Sequence, residues 1–214
     1  MRRALFTLGI AAGLAAPAAA QWVGVPVWNS PTGGGVVISA DYAKPNGNYG
    51  NGSTWGARIS WGRGTLTITA GAASWNPEGA GETLVSFGGN AAFRLIGDTL
   101  PTIASRGIRA NLQIGAAHTD TPNLVVSATS ETTLTGAVGL GAQLPAQGFS
   151  VEPYFSPGIR YRSLSDGTSR TEFGFAIGAN VSFGLLGVHL AYDSENLPGG
   201  GKAGVLGVGA QLTP

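Results

Sequence analysis

Phe173-Gly174-Phe175-Ala176-Ile177-Gly178-Ala179-Asn180-Val181-Ser182-Phe183 puts an apolar residue at every odd position and Gly, Ala, Asn or Ser at every even one. A two-residue period is that of a strand with two unlike faces; a helix would repeat every 3.6 residues. The alternation recurs elsewhere: Leu186, Val188, Leu190 and Tyr192 against Gly187, His189 and Asp193; Ile108, Ala110, Leu112 and Ile114 against Arg109, Asn111 and Gln113. It predicts about ten strands, at 35–44, 54–62, 64–75, 83–96, 106–118, 132–143, 150–162, 170–183, 185–193 and 203–212. Most match or exceed the roughly 9–11 residues that a tilted strand needs to cross a bilayer.

The connections alternate in length. Gly62 to Gly64, Leu144 to Gly148 and Phe183 to Leu185 are short; Lys44 to Ser53, Asn76 to Glu82, Thr119 to Glu131, Ser163 to Ser169 and Ser194 to Lys202 are long and rich in turn formers. Short turns at one end and long loops at the other are the outer-membrane arrangement. The connection from Gly97 to Ser105 departs from it, being long where a short turn is expected, and Pro153 and Pro157 fall inside the seventh strand, where each removes a ladder donor.

Composition agrees. Only 11% of residues are charged and mean hydropathy is +0.16, which excludes a disordered chain. Cys is absent, which excludes disulfide scaffolds and thiolate metal sites. Residues 1–20 read as a cleaved signal peptide: Arg2 and Arg3, an apolar run from Ala4 to Leu14, then Ala18-Ala19-Ala20 before Gln21. Without Arg2 and Arg3, ten Lys and Arg face eleven Asp and Glu, so no basic excess remains for nucleic acid. Residues 21–33, with Trp22, Pro26, Trp28 and Pro31, are expected to form an N-terminal periplasmic segment, and 34–214 the barrel domain.

Two levels of aromatic residues mark the expected membrane boundaries. Tyr42, Trp55, Trp75, Tyr161, Phe173 and Tyr192 stand toward the long loops; Trp61, Phe93, Phe149 and Phe183 stand toward the short turns. With these girdles, and with stretches such as Val151-Glu152-Pro153-Tyr154-Phe155-Ser156-Pro157-Gly158-Ile159-Arg160-Tyr161 and Phe173 to Ala179, residues 34–212 resemble the small outer-membrane β-barrel proteins of Gram-negative-type bacteria. The resemblance implies an all-β, antiparallel up-and-down transmembrane barrel of about ten strands, with eight or twelve as alternatives, inserted by the outer-membrane assembly machinery. Members often end in an aromatic residue, whereas this chain ends Leu212-Thr213-Pro214. The competing architecture is a secreted soluble β-protein, whose solvent face would carry more charge than a chain with two lysines supplies.

Strand parity turns Asp41, Arg58, Arg94, Arg109, Glu152, Arg160, Arg162, Glu172, His189 and Asp193 inward. Buried together, such groups must pair or stay hydrated. They make either a lumen closed by ion pairs or a narrow pore lined by Arg. Glu78, Glu82, Asp120, Glu131, Asp166 and Glu195, with Lys44, Arg170 and Lys202, are assigned to the loop rim.

His118 and His189 are the only histidines, and the sequence holds no G-x-S-x-G, H-E-x-x-H or phosphate-loop motif. The expectation is a non-catalytic outer-membrane barrel without metal or cofactor, structural or surface-interacting, with outer-membrane lipid and lipopolysaccharide as partners. A narrow solute pore is the alternative.

Overall fold

The computed structural model describes residues 35–79, 81–97, 107–120 and 128–213. The leader, the segment 21–33 and most of the irregular connection after Gly97 lie outside the described residues.

Ten long strands form one antiparallel sheet: β1 (Gly35–Pro45), β2 (Ser53–Arg63), β3 (Leu66–Asn76), β4 (Leu84–Ile96), β5 (Ile108–Asp120), β6 (Ser130–Ala142), β8 (Phe149–Leu164), β9 (Ser169–Phe183), β10 (Leu186–Asn196) and β11 (Lys202–Leu212). β7 (Leu144–Ala146) is a three-residue strand on β8. Each long strand pairs with the next, and β1 pairs with β11, so the sheet closes on itself. Closure leaves no strand edge unpaired, which a lipid environment demands of a sheet.

The seventh long strand is not broken by its prolines. β8 runs unbroken for sixteen residues and pairs with β9 throughout, Pro153 against Ala179 and Pro157 against Phe175. The cost appears on the opposite edge. Pairing with β6 lapses between Ala137–Gly158 and Leu140–Phe155, beside Pro157, and β6 gives way to β7 opposite Pro153. Proline supplies no N–H, so each lapse removes local pairing while the register continues across it.

The two faces differ as the alternation requires. Ile38, Ile59, Ile114, Leu134, Ile177 and Leu190 are among the exposed outer residues. The inner face carries small, polar and charged side chains. The short turns are two-residue connections with Gly64, Gly148 and Gly184 at φ of 62°, 83° and 63°, a backbone region open to glycine.

Candidate functional site

Arg160 and Arg162 on β8 lie wholly buried at the loop end of the lumen. Arg162 grips Glu195 of β10 through a two-pronged contact, Nε to Oε1 at 3.1 Å and Nη2 to Oε2 at 2.7 Å. Its Nη1 donates to Glu131 Oε1 of β6 at 2.8 Å. Arg160 donates to Asp193 Oδ2 at 2.9 Å and to Glu195 Oε2 at 3.0 Å. Side chains from β6, β8 and β10 are thus tied together across the intervening β9. What lets Arg160 pass over β9 is Gly174, where a Cβ would stand 2.5 Å from its Nη1.

Glu131 and Glu195 belong to this lumen network, not to the loop rim. The strands run further than the alternation predicts, β6 beginning at Ser130 and β10 ending at Asn196. Extending parity by one step puts Glu131 in line with Thr133 and Glu195 in line with Asp193, both on the inner face. Arg170 also faces inward, with Nη2 4.0 Å from Glu131 Oε2. Among the described residues, six inward arginines (58, 94, 109, 160, 162 and 170) are equalled in number by six inward carboxylates (41, 131, 152, 172, 193 and 195).

A second group occupies the middle. Arg58 Nη2 and His189 Nε2 converge on Asp41 Oδ1, at 3.3 and 2.5 Å. An ionised carboxylate only accepts, so His189 carries its proton on Nε2, and the 3.1 Å approach of Arg58 to that nitrogen is two donors sharing one acceptor. Gly209 gives His189 its room, as Gly178 does for Tyr154. At the turn end Arg109 donates to Glu152 Oε1 at 3.1 Å and to Gln143 Oε1 at 2.6 Å. Arg94 joins none of these groups; its guanidinium donates to the Gly64 carbonyl and holds the β2–β3 turn. Glu172 is half-buried on β9, in register with Arg160.

Trp75 is not a membrane-interface residue. It is 3% exposed and packs inside the loop mouth with Ala43, Tyr49, Leu84, Ala203 and Val205. Parity in β3 already puts it inward, in line with Thr69, Gly71 and Ala73. Its indole donates to the Asn51 carbonyl at 3.0 Å, and Tyr49 meets its ring edge-on at 5.2 Å. Tyr49 lies in a 3-10 turn, Gly47–Tyr49, folded into the mouth, and no period in the sequence marks it. Trp55, Trp61, Tyr161, Phe173, Phe183 and Tyr192 are exposed on the outer wall, and Tyr42 lies there against Trp55 with ring centroids 4.8 Å apart.

No family model matches the chain, and no curated protein matches it by sequence. Solved structures do match. A bacterial polysaccharide outer membrane secretin aligns at TM-score 0.50 and 10% identity over 77% of this chain, which spans 57% of that one. The fold is that of a bacterial outer-membrane β-barrel. The β domain of the Bordetella autotransporter BrkA aligns at TM-score 0.47 and 15% identity, over 85% of this chain and 100% of that one. The N-terminal β-barrel domain of Pseudomonas aeruginosa OprF aligns at TM-score 0.37 and 13% identity, over 83% and 96%.

Within that fold the lumen charges link strands on the inner face. His118 stands elsewhere, on the outer wall beside Phe87, with Thr132 Oγ1 at 3.2 Å from Nδ1 and Asp120 Oδ1 at 3.7 Å from Nε2.

Proposed function

We propose that the protein resides in the outer membrane as a non-conducting barrel whose role is structural or surface-interacting. The observation that carries this reading is the fully buried contact set of Arg160 and Arg162 with Glu131, Asp193 and Glu195, which fills the lumen side of β6, β8, β9 and β10, together with the buried Tyr49–Trp75 cluster at the loop mouth. Interiors of barrels near eight strands are filled by side chains. Moving an ion through would require parting charges already satisfied by one another, at a cost of several kcal/mol per ion in a low-dielectric interior.

A role without catalysis fits the two histidines. His189 is enclosed beneath the cap and committed to Asp41. His118 has a hydroxyl within reach but its carboxylate neighbour lies beyond hydrogen-bond distance, on a convex wall that offers a substrate no enclosure.

Planar-bilayer recording is the test. The wild-type barrel is expected to give no steady single-channel current, whereas a variant carrying both Arg160→Ala and Arg162→Ala is expected to flicker open. Steady wild-type currents would establish the narrow-pore alternative instead.

A further inference from the structure

The chain contains two lysines, Lys44 and Lys202, and both stand exposed on the outer wall at the loop end of adjacent strands, β1 and β11. Neither makes an ion pair among the described residues. Lys44 pairs across the sheet with Leu206, and Leu206 pairs on its other side with Tyr192. Lys202 lies four residues beyond Leu206 on β11, about 13 Å along the strand at the usual rise, a span that two four-carbon stems can close. Between them Gly204 leaves the floor open, and the Tyr192 hydroxyl lies over it; a Cβ there would be 2.6 Å from that oxygen. Beside Lys44, Tyr42 and Trp55 form the stacked pair of the boundary girdle.

The charge around this patch is one-sided. The flanking connections 46–52 and 197–201 contain no Asp or Glu. Asp193 and Glu195, the acids on neighbouring β10, are buried in the lumen. Of the exposed acids of the loop end, Glu82, Asp120 and Asp166 belong to other connections or strand ends, and Glu78 meets the 46–52 connection through its backbone N–H, which donates to the Gly50 carbonyl at 3.2 Å, without an ion pair to either lysine among the described residues.

We propose that this face of β1, β10 and β11 binds the phosphate-bearing headgroup of an outer-leaflet glycolipid, with Lys44 and Lys202 as the cationic contacts, the Tyr192 hydroxyl as a donor between them and the aromatic girdle against the sugar–acyl boundary. Charge complementarity selects this occupant. Two unpaired ammonium groups above an apolar band meet anions where the headgroups lie, and a lysine is a flexible point-charge ligand for phosphate. The inference rests on the outer-membrane reading and names the partner of that surface.

The test uses folded barrel in detergent with diphosphoryl lipid A as the probe and its dephosphorylated form as the comparison, bound lipid being read by native mass spectrometry. Each of Lys44→Gln and Lys202→Gln is expected to weaken retention about fivefold, and the pair about thirtyfold. High salt should weaken wild-type retention, and Lys44→Arg with Lys202→Arg should restore it. Arg63→Gln, which removes an exposed outer cation at the turn end, should leave it unchanged. Equal retention by the double Gln variant, an equal loss in Arg63→Gln, or equal binding of dephosphorylated lipid would overturn the proposal. Heat-modifiable gel mobility, read on every variant, separates these outcomes from a barrel that has failed to form.

Discussion

The lumen has two unlike sectors. Toward β6, β8 and β10 it is charged and internally paired: Arg160 and Arg162 are fully buried and each touches two carboxylates. Toward β3, β4 and β5, away from Arg94 and Arg109 at the turn end, it is neutral. Gln113 donates to Asn111 Oδ1 at 3.0 Å, while both amide atoms of Asn90 and the hydroxyl of Ser86 have no protein partner. The difference follows from what each kind of group costs to bury. An unpaired charge in the interior is worth several kcal/mol of destabilisation, so charges survive there only in closed sets. A neutral amide or hydroxyl can be satisfied by one or two ordered waters, which buried polar groups commonly recruit. The charged sector is therefore where strands are locked together, and Asn90 and Ser86 in the neutral one are groups that water could satisfy.

Arg162→Met puts the strongest strain on this contrast. It leaves Glu195 with Arg160 alone and strips Glu131 of its closest cation, the remaining one being Arg170 at 4.0 Å. Breaking a buried pair from one side costs about 3–5 kcal/mol. Urea unfolding in lipid vesicles should show a loss of that size. A loss under about 1 kcal/mol, the range of exposed ion pairs, would mean that water reaches these groups and that the two sectors are alike.

Gly174→Ala probes the same sector without removing a charge. The new methyl would stand 2.5 Å from Arg160 Nη1 and 2.8 Å from the Ser194 carbonyl, and the backbone oxygen cannot swing aside. Overpacking of this kind costs about 1–3 kcal/mol. Gly136→Ala is the matched control, on the outer face of β6 with Ile159 Cγ1 at an ordinary 3.9 Å, and should unfold as wild type. A Gly174→Ala barrel as stable as the control would show that Arg160 reaches β10 by another route.

Much of this arrangement is legible in the residues. Alternation alone places Asp41, Arg58, Arg109, Glu152, Arg160, Arg162, His189 and Asp193 on the inner face, because a strand's period fixes sides regardless of neighbours. Glu131 and Glu195 stand where alternation fades into loop composition, so their sides depend on where the strands end, which closure of the sheet decides. Trp75 shows a different failure: an aromatic at a strand end suggests a girdle, yet parity had already put it inside. Tyr49 was out of reach, since a residue in a turn has no period and its burial depends on a loop folding back against β11. Which arginine meets which carboxylate was equally hidden. Arg160 contacts β10 across β9, a choice made by the missing side chain of Gly174 and not by any spacing along the chain.

Asn90→Leu is the gentlest probe and falls on the neutral sector. Asn90 is 5% exposed, and neither its Oδ1 nor its Nδ2 meets a protein partner. The substitution keeps roughly the same reach and removes two polar atoms whose burial requires water. Replacing a group that no protein atom satisfies leaves no orphaned partner behind, so the hydrogen-bond term is near zero, and release of bound water adds a small favourable term. The expected unfolding free energy from urea titration is within about 1 kcal/mol of wild type, in either direction. The comparison with Arg162→Met is then the measurement that matters: two buried inner-face residues of one barrel, both replaced by apolar side chains, separated by several kcal/mol. A loss in Asn90→Leu as large as that in Arg162→Met would show that its waters form a network with the charged groups, and that the lumen unfolds as one polar core instead of two sectors.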